Sequence, residues 1–244
     1  GKRKLLVEEL GKMGIEDPAI LSAFNAIPRH YFLDLAFDEQ AYTNMAFQIG
    51  SGQTISHPYT VAFQTDLLEL KKGEKVLEIG SGSGFQTCIL CQLGAKVFSI
   101  ERHRELFMKA KQMVGFFNFS AKMYFGDGYK GNLSYAPYDK ILVTCGAPEI
   151  PNELIKQLKI GGIMIIPVGE GKEQKMLKII NIVISIASFI IGFFISKKIS
   201  EADKLKMQVK QFEDSQKEQN EILQRNNSAI NAPNKRLWLK KKRT

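Results

Sequence analysis

The sequence predicts a doubly wound α/β fold, a mainly parallel sheet covered by helices on both faces, with helices ahead of it and an atypical tail behind. Three observations carry this reading. Between residues 75 and 168, short apolar runs alternate with stretches of helical periodicity. The first of those runs ends in Gly80-Ser81-Gly82-Ser83-Gly84, directly before a helical stretch. After Gln174 the composition changes abruptly.

Leu5, Leu6, Leu10 and Met13 recur at helical spacing, and Asp17 followed by Pro18 reads as an N-cap with proline at the first helical position. Two short helices therefore open the chain, and Pro28 ends the second. Residues 32–47 are mixed; Ile49-Gly-Ser-Gly-Gln-Thr-Ile-Ser-His-Pro58 reads as a loop, followed by a helix over 61–70. Strands are expected at 75–80, 96–100, 121–125, 140–144 and 162–168, and helices at 85–93, 105–116 and 151–158. Ligands of such folds bind at the carboxyl ends of the strands.

The chain of 244 residues, 44% of them hydrophobic, is long enough for one sizeable core and an appendage. Its net charge of +9 lies almost wholly at the end. Residues 1–175 hold 20 Lys and Arg against 19 Asp and Glu, whereas residues 176–244 hold 14 against 6. The near-neutral front part is not an electrostatic nucleic-acid binder. Three cysteines, Cys88, Cys91 and Cys145, argue for a reducing compartment rather than a secreted disulfide scaffold. Residues 1–10 are charged and helical in pattern, so export by a cleaved signal is not expected.

Successive strand ends carry ligand-type residues. The glycine turn lets the backbone approach a ligand, although dinucleotide enzymes use a related turn. Glu101 ends the second strand 21 residues beyond Gly80, where a carboxylate can accept from both hydroxyls of a ribose. Asp127, in Gly126-Asp127-Gly128, follows the third strand and is placed to accept from an adenine amino group. Adenosine is the natural common ligand of the three.

In order and spacing, Ile27-Pro-Arg-His-Tyr-Phe32, Gln53-Thr-Ile-Ser-His-Pro-Tyr59, Val76-Leu-Glu-Ile-Gly-Ser-Gly-Ser-Gly-Phe-Gln86, Gly126-Asp-Gly-Tyr129, Ala136-Pro-Tyr-Asp139, Ile141-Leu-Val-Thr144 and Gln157-Leu-Lys-Ile-Gly-Gly162 closely resemble the protein-L-isoaspartate (D-aspartate) O-methyltransferases. The resemblance implies a Rossmann-like, S-adenosylmethionine-dependent methyltransferase. It would act on the free carboxylate of L-isoaspartyl residues, and also of D-aspartyl residues, in damaged proteins or peptides. It implies that Thr54 and Ser56 form the acceptor pocket. Glu78, Gly80, Ser81, Gly82, Gly84, Glu101, Arg102, Asp127, Gly128 and Thr144 would hold the S-adenosyl-L-methionine, with no metal. Gln48 stands where the family usually has proline, Ser81 where it has threonine and Asn44 where aspartate is common. The family's C-terminal Phe-Val-Pro does not occur.

A carboxylate acceptor is ionised at neutral pH, so methyl transfer to it needs alignment and exclusion of water rather than a strong base. Other constellations read as bland. Cys88 and Cys91 lie inside one helix and read as core; His30, His57 and His103 lack metal-ligand spacing; Arg29 and Arg102 read as structural or rim charges.

The composition divides the chain into N-terminal helices and substrate loop (1–70), cofactor-binding core (71–178), an apolar segment (179–198) and a polar helix with a basic tail (199–244). Residues 179–195 carry no charge and read as a membrane anchor, as strands completing the sheet, or as a non-native junction. Leu205, Val209, Phe212, Leu223 and Ile230 form a seam that suits a weak coiled coil or a lone solvated helix. The basic end around Trp238 reads as a solubilising tail or as a contact for anionic lipid. The protein is thus expected in the cytoplasm as a monomer, with membrane association or coiled-coil pairing as the tail's alternatives. Two competing functions stay open: a membrane-tethered interaction protein with an impaired methyltransferase domain, and a methyltransferase acting on another carboxylate.

Overall fold

A computed structural model describes residues 1–169 and 174–182. The coiled-coil and basic-tail readings, and the anchor reading beyond residue 182, lie outside the described residues. The chain opens with helices α1 (Lys2–Lys12) and α2 (Pro18–Ala26), the latter capped by Asp17, whose side chain accepts from the Ala19 amide. A two-stranded hairpin, β1 (Phe47–Gly50) and β2 (Gln53–Ile55), leads into α3 (Pro58–Leu67). Then follow β3 (Lys75–Ile79), α4 (Phe85–Gln92), β4 (Lys96–Glu101), α5 (Arg104–Phe116), β5 (Lys122–Phe125), β6 (Tyr138–Val143), α6 (Asn152–Gln157), β7 (Leu158–Val168) and β8 (Lys175–Ile180).

The six strands β3 to β8 form one sheet in the order β5-β4-β3-β6-β7-β8, parallel except for the antiparallel pair β7–β8. Central β3 is buried on both faces, as a strand covered by helices on both sides is, and is apolar apart from Lys75 and Glu78. Val76 packs with Leu90, Val97, Leu142 and Ile165 on one face, and Leu77 and Ile79 pack with Phe98, Ile141 and Met164 on the other. The N-terminal helices do not make a core of their own. Leu6, Leu10, Ile20 and Phe24 share one apolar cluster with Phe85, Cys88 and Ile89 of α4, so the expected division at residue 70 is continuous in packing.

Three expectations change. The loop expected over 49–58 contains the hairpin, its turn made by Gly50, Ser51 and Gly52, all at positive φ. Strands this short and polar carry no periodic signal. The fifth parallel strand starts at Leu158 rather than residue 162, with Gly161 at positive φ inside it. Most consequentially, β8 crosses the expected boundary at residue 178: Ile179 pairs with Met164 and is 3% exposed. Residues 179 and 180 therefore belong to the sheet, and a membrane anchor does not begin at 179. Among the described residues no helix is long and apolar enough to cross a membrane.

If β8 is part of the catalytic domain's core, Ile179→Ala should cost about 2 to 4 kcal/mol of unfolding free energy, as a buried large-to-small change does. Urea unfolding of the full chain checks this; an unchanged midpoint would return the residue to the tail.

Candidate active site

The turn between β3 and α4 places Gly80, Gly82 and Gly84 at φ 96, 53 and 86, a region that side chains rarely adopt. At Gly84 the demand is also steric: a Cβ would lie 3.0 Å from the Ala110 Cα of α5. The amides of all three glycines are committed, that of Gly80 to the Ile100 carbonyl at 2.8 Å and that of Gly84 to the Ser81 carbonyl at 2.8 Å. The Gly82 amide donates to Glu101 Oε2, also at 2.8 Å.

Glu101, at the end of β4, is 4% exposed, and its other oxygen accepts from the His103 amide at 2.9 Å. Two backbone donors fix this carboxylate while leaving further lone pairs for a ligand. At the end of β5, Asp127 is exposed, and its Oδ1 accepts from the Tyr129 amide at 3.0 Å. At the end of β6, the Thr144 hydroxyl donates to the Gly80 carbonyl at 2.6 Å, tying β6 to the glycine turn. These ends converge where β3 is flanked by β4 on one side and β6 on the other, the point at which open α/β sheets form a crevice.

Across the crevice lies the segment from Gln53 to Ser56. Thr54 is exposed and Ser56 half-buried, and the Ser56 hydroxyl has no hydrogen-bond partner among the described residues. The Ser56 carbonyl accepts from Arg29 at 3.1 Å; the same guanidinium donates to the carbonyls of Ala41 and Met45, both at 2.8 Å, and lies 5.4 Å from the Phe47 ring centre. Arg29 is 1% exposed, and burial pushes its pKa down to about 9. It is thus no rim charge but a buried clamp on the acceptor loop. Neighbouring His57 is pushed down to about 4 by burial and by Arg29, so it is neutral at pH 7. Asn44 accepts from the Tyr59 amide at 2.9 Å near the start of α3.

The glycine turn, the strand ends and the Gln53–Ser56 segment line one cavity of about 370 Å³. Of the site residues expected from sequence, Thr54, Ser56, Gly80, Ser81, Gly82, Glu101, Arg102, Asp127, Gly128 and Thr144 line it. Glu78 and Gly84 do not. Gly84 packs against α5, and Glu78 points into the protein behind the turn, 0% exposed, its Oε2 accepting from Thr87 and Ser99, both at 2.6 Å. Burial pushes the Glu78 carboxyl up to about 7, those two hydrogen bonds pull against that, and Glu101 adds to it. Sequence reasoning gave no role to Gln53, Gln86, Tyr129 or Cys145, which also line the cavity; Gln86 could have been found from its place two residues after the turn. Burial raises the thiols of Cys88 and Cys91, the latter to about 12, the opposite of what redox or metal chemistry requires.

Residues 1–184 match the model of the protein-L-isoaspartate(D-aspartate) O-methyltransferases. The chain belongs to that family. A protein-L-isoaspartate O-methyltransferase of Christiangramia forsetii is 58% identical over 170 residues, covering 69% of this chain and 80% of the relative. Another, from Cytophaga hutchinsonii, is 51% identical over 182 residues, 75% of this chain and 82% of the relative. Among solved structures, a protein-L-isoaspartate O-methyltransferase is similar with a TM-score of 0.66 at 30% identity, covering 72% of this chain and 59% of that one. A Plasmodium falciparum protein described as a protein-L-isoaspartate O-methyltransferase, in complex with S-adenosyl-L-homocysteine, gives 0.64 at 25% identity, covering 73% and 89%. As a member of the isoaspartyl methyltransferase family, the chain is an S-adenosylmethionine-dependent protein repair enzyme.

Two buried groups set opposing pH dependences on folding. Glu78 titrates near 4.5 unfolded and near 7 folded, so its contribution to stability falls as pH rises between those values. His57 titrates near 6.5 unfolded and near 4 folded, so its contribution falls as pH drops through that window. Glu78→Gln removes the first slope alone. Relative to the unsubstituted protein, its stability should rise by about 1 to 3 kcal/mol between about pH 5 and pH 7.5, read from urea midpoints at each pH. A constant difference across that range would mean that Glu78 is ionised in the folded protein.

Proposed function

We propose that this cavity methylates the free carboxylate of L-isoaspartyl residues, with S-adenosylmethionine held at the strand ends and the acceptor at Thr54 and Ser56. The observation that carries the reading is Glu101: a carboxylate held in place by two backbone amides, open to the cavity beside a glycine turn whose own glycine amides are all taken. Such a turn suits the uncharged ribose of an adenosine ligand better than a phosphate, which needs free amides. The residues present fit S-adenosylmethionine. Glu101 would accept from its ribose hydroxyls, Asp127 and Gly128 would border its adenine, and Gly80, Ser81, Gly82, Arg102 and Thr144 would border the remainder. When bound, the cofactor supplies a methyl group made electrophilic by the positively charged sulfur.

The chain's own task is positional. An isoaspartyl carboxylate is already ionised at neutral pH, and His57, neutral and buried, is not poised to take a proton. The Ser56 hydroxyl can donate to one acceptor oxygen, leaving the other directed at the methyl group. Arg29 fixes the Ser56 backbone, so the hydroxyl is set before the peptide arrives. Apolar Val61, Phe85 and Leu154 in the cavity wall limit the water that would compete for the acceptor.

The acceptors in this reading are damaged proteins and peptides carrying isoaspartyl or D-aspartyl residues. The compartment is the cytoplasm, in keeping with three free cysteines. A lipid contact through residues 183–198, or pairing through the seam beyond residue 204, rests on composition alone; sedimentation with anionic vesicles tests the first.

Incubation with labelled S-adenosylmethionine and an isoaspartyl peptide should give base-labile methylation that the normal-aspartyl twin does not; equal labelling of both refutes the acceptor assignment. Glu101→Ala should weaken S-adenosylhomocysteine binding by about 1.5 to 3 kcal/mol in calorimetry, the worth of charge-assisted hydrogen bonds. Ser56→Ala should lower methyl transfer while sparing that binding. Equal loss of both would make the loop merely structural.

A further inference from the structure

The glycine turn is held by its backbone, through Ile100, Glu101 and Thr144, but has few side chains with which to grip the protein: Gly80, Gly82 and Gly84 carry none, and Ser83 caps the Phe85 amide at 3.3 Å. Ser81 is the exception. It is 4% exposed, and its hydroxyl meets Ser99 Oγ at 2.6 Å, with no other partner among the described residues. Ser99, in β4, is 0% exposed and lies 2.6 Å from Glu78 Oε2. A hydroxyl has one proton. With Ser99 donating to Glu78, its oxygen can only accept from Ser81. The chain of donors therefore runs one way, from the turn through β4 to a carboxyl group under the sheet, and Thr87 of α4 donates to the same Glu78 oxygen from the other side.

We infer that Glu78 is a positioning residue for the cofactor turn, acting through Ser99 on Ser81 without touching the cofactor. The wire joins β3, β4, α4 and the turn at one carboxyl oxygen. It fixes the backbone from Gly80 to Gly82, and with it the Gly82 amide that orients Glu101. The acceptor end of the wire matters more than its charge, since an uncharged amide oxygen accepts the same two hydroxyl protons. The inference rests on the reading that this turn borders S-adenosylmethionine.

The test is calorimetric titration of S-adenosylhomocysteine into the full chain and its variants, with thermal unfolding of each. Ser99→Ala, which cuts the wire but keeps Glu78, should weaken affinity about threefold to tenfold, the range set by one net hydrogen bond. Glu78→Gln should stay within about twofold of the unsubstituted protein. Glu78→Leu should lose about as much as Ser99→Ala, and the double variant Glu78→Leu/Ser99→Ala no more than either, because a wire already cut cannot be cut again. Unchanged affinity in Ser99→Ala, or losses that multiply in the double variant, overturns the inference. So does a drop in melting temperature with affinity intact. If the unsubstituted chain does not bind S-adenosylhomocysteine, the cofactor reading fails first and this inference with it. If it binds and Ser99→Ala binds equally, only the inference fails.

Discussion

The site depends on the position of β3. It is hydrogen-bonded to β4 on one side and to β6 on the other, and the chain winds outward from it in both directions. Between strands whose connections depart oppositely, no crossover covers the carboxyl ends, and a crevice remains. Residues 80, 101, 127 and 144, far apart in sequence, meet there because each ends or follows a strand in the same parallel array. The Thr144 hydroxyl on the Gly80 carbonyl extends the tie between β6 and β3 into the glycine turn.

The winding of the sheet was legible because it rests on periodicity and glycine punctuation, which act locally. Glu101 and Asp127 were legible for the same reason, as acidic residues just past the ends of predicted strands. Glu78, expected from the family resemblance to hold the cofactor, does not line the cavity. The alternation of β3 gives the reason: Glu78 shares a face with Val76, which packs against Leu90 of α4, while Leu77 and Ile79 take the other. An acid on a helix-covered face of a central strand faces helix, not solvent.

The acceptor loop was legible only through family resemblance. Nothing local in Gln53-Thr54-Ile55-Ser56 specifies a hairpin, and its placement is settled by a residue 27 positions before Ser56. Arg29 reads from sequence as a structural or a rim charge, and its burial at 1% exposure decides for the structural role. Its three carbonyl partners provide hydrogen bonds but no countercharge, so the guanidinium retains much of its desolvation cost, as its lowered pKa reflects. That cost is tolerable where a loop must hold one geometry, since the buried Ala41 carbonyl needs a donor and the half-buried Met45 and Ser56 segments are joined to it through the same guanidinium.

The commitment of the glycine amides bears on which molecules the pocket admits in a cell. ATP shares the adenosine half of S-adenosylmethionine. Selectivity against it cannot come from the ribose or the adenine. The amides of Gly80, Gly82, Gly84 and Phe85 are each occupied by an internal acceptor and the Glu101 carboxylate lies beside them, so these four donors are not open to a triphosphate. The hydrogen bonds that shape the turn thus also withdraw donors that a nucleotide's phosphates would use.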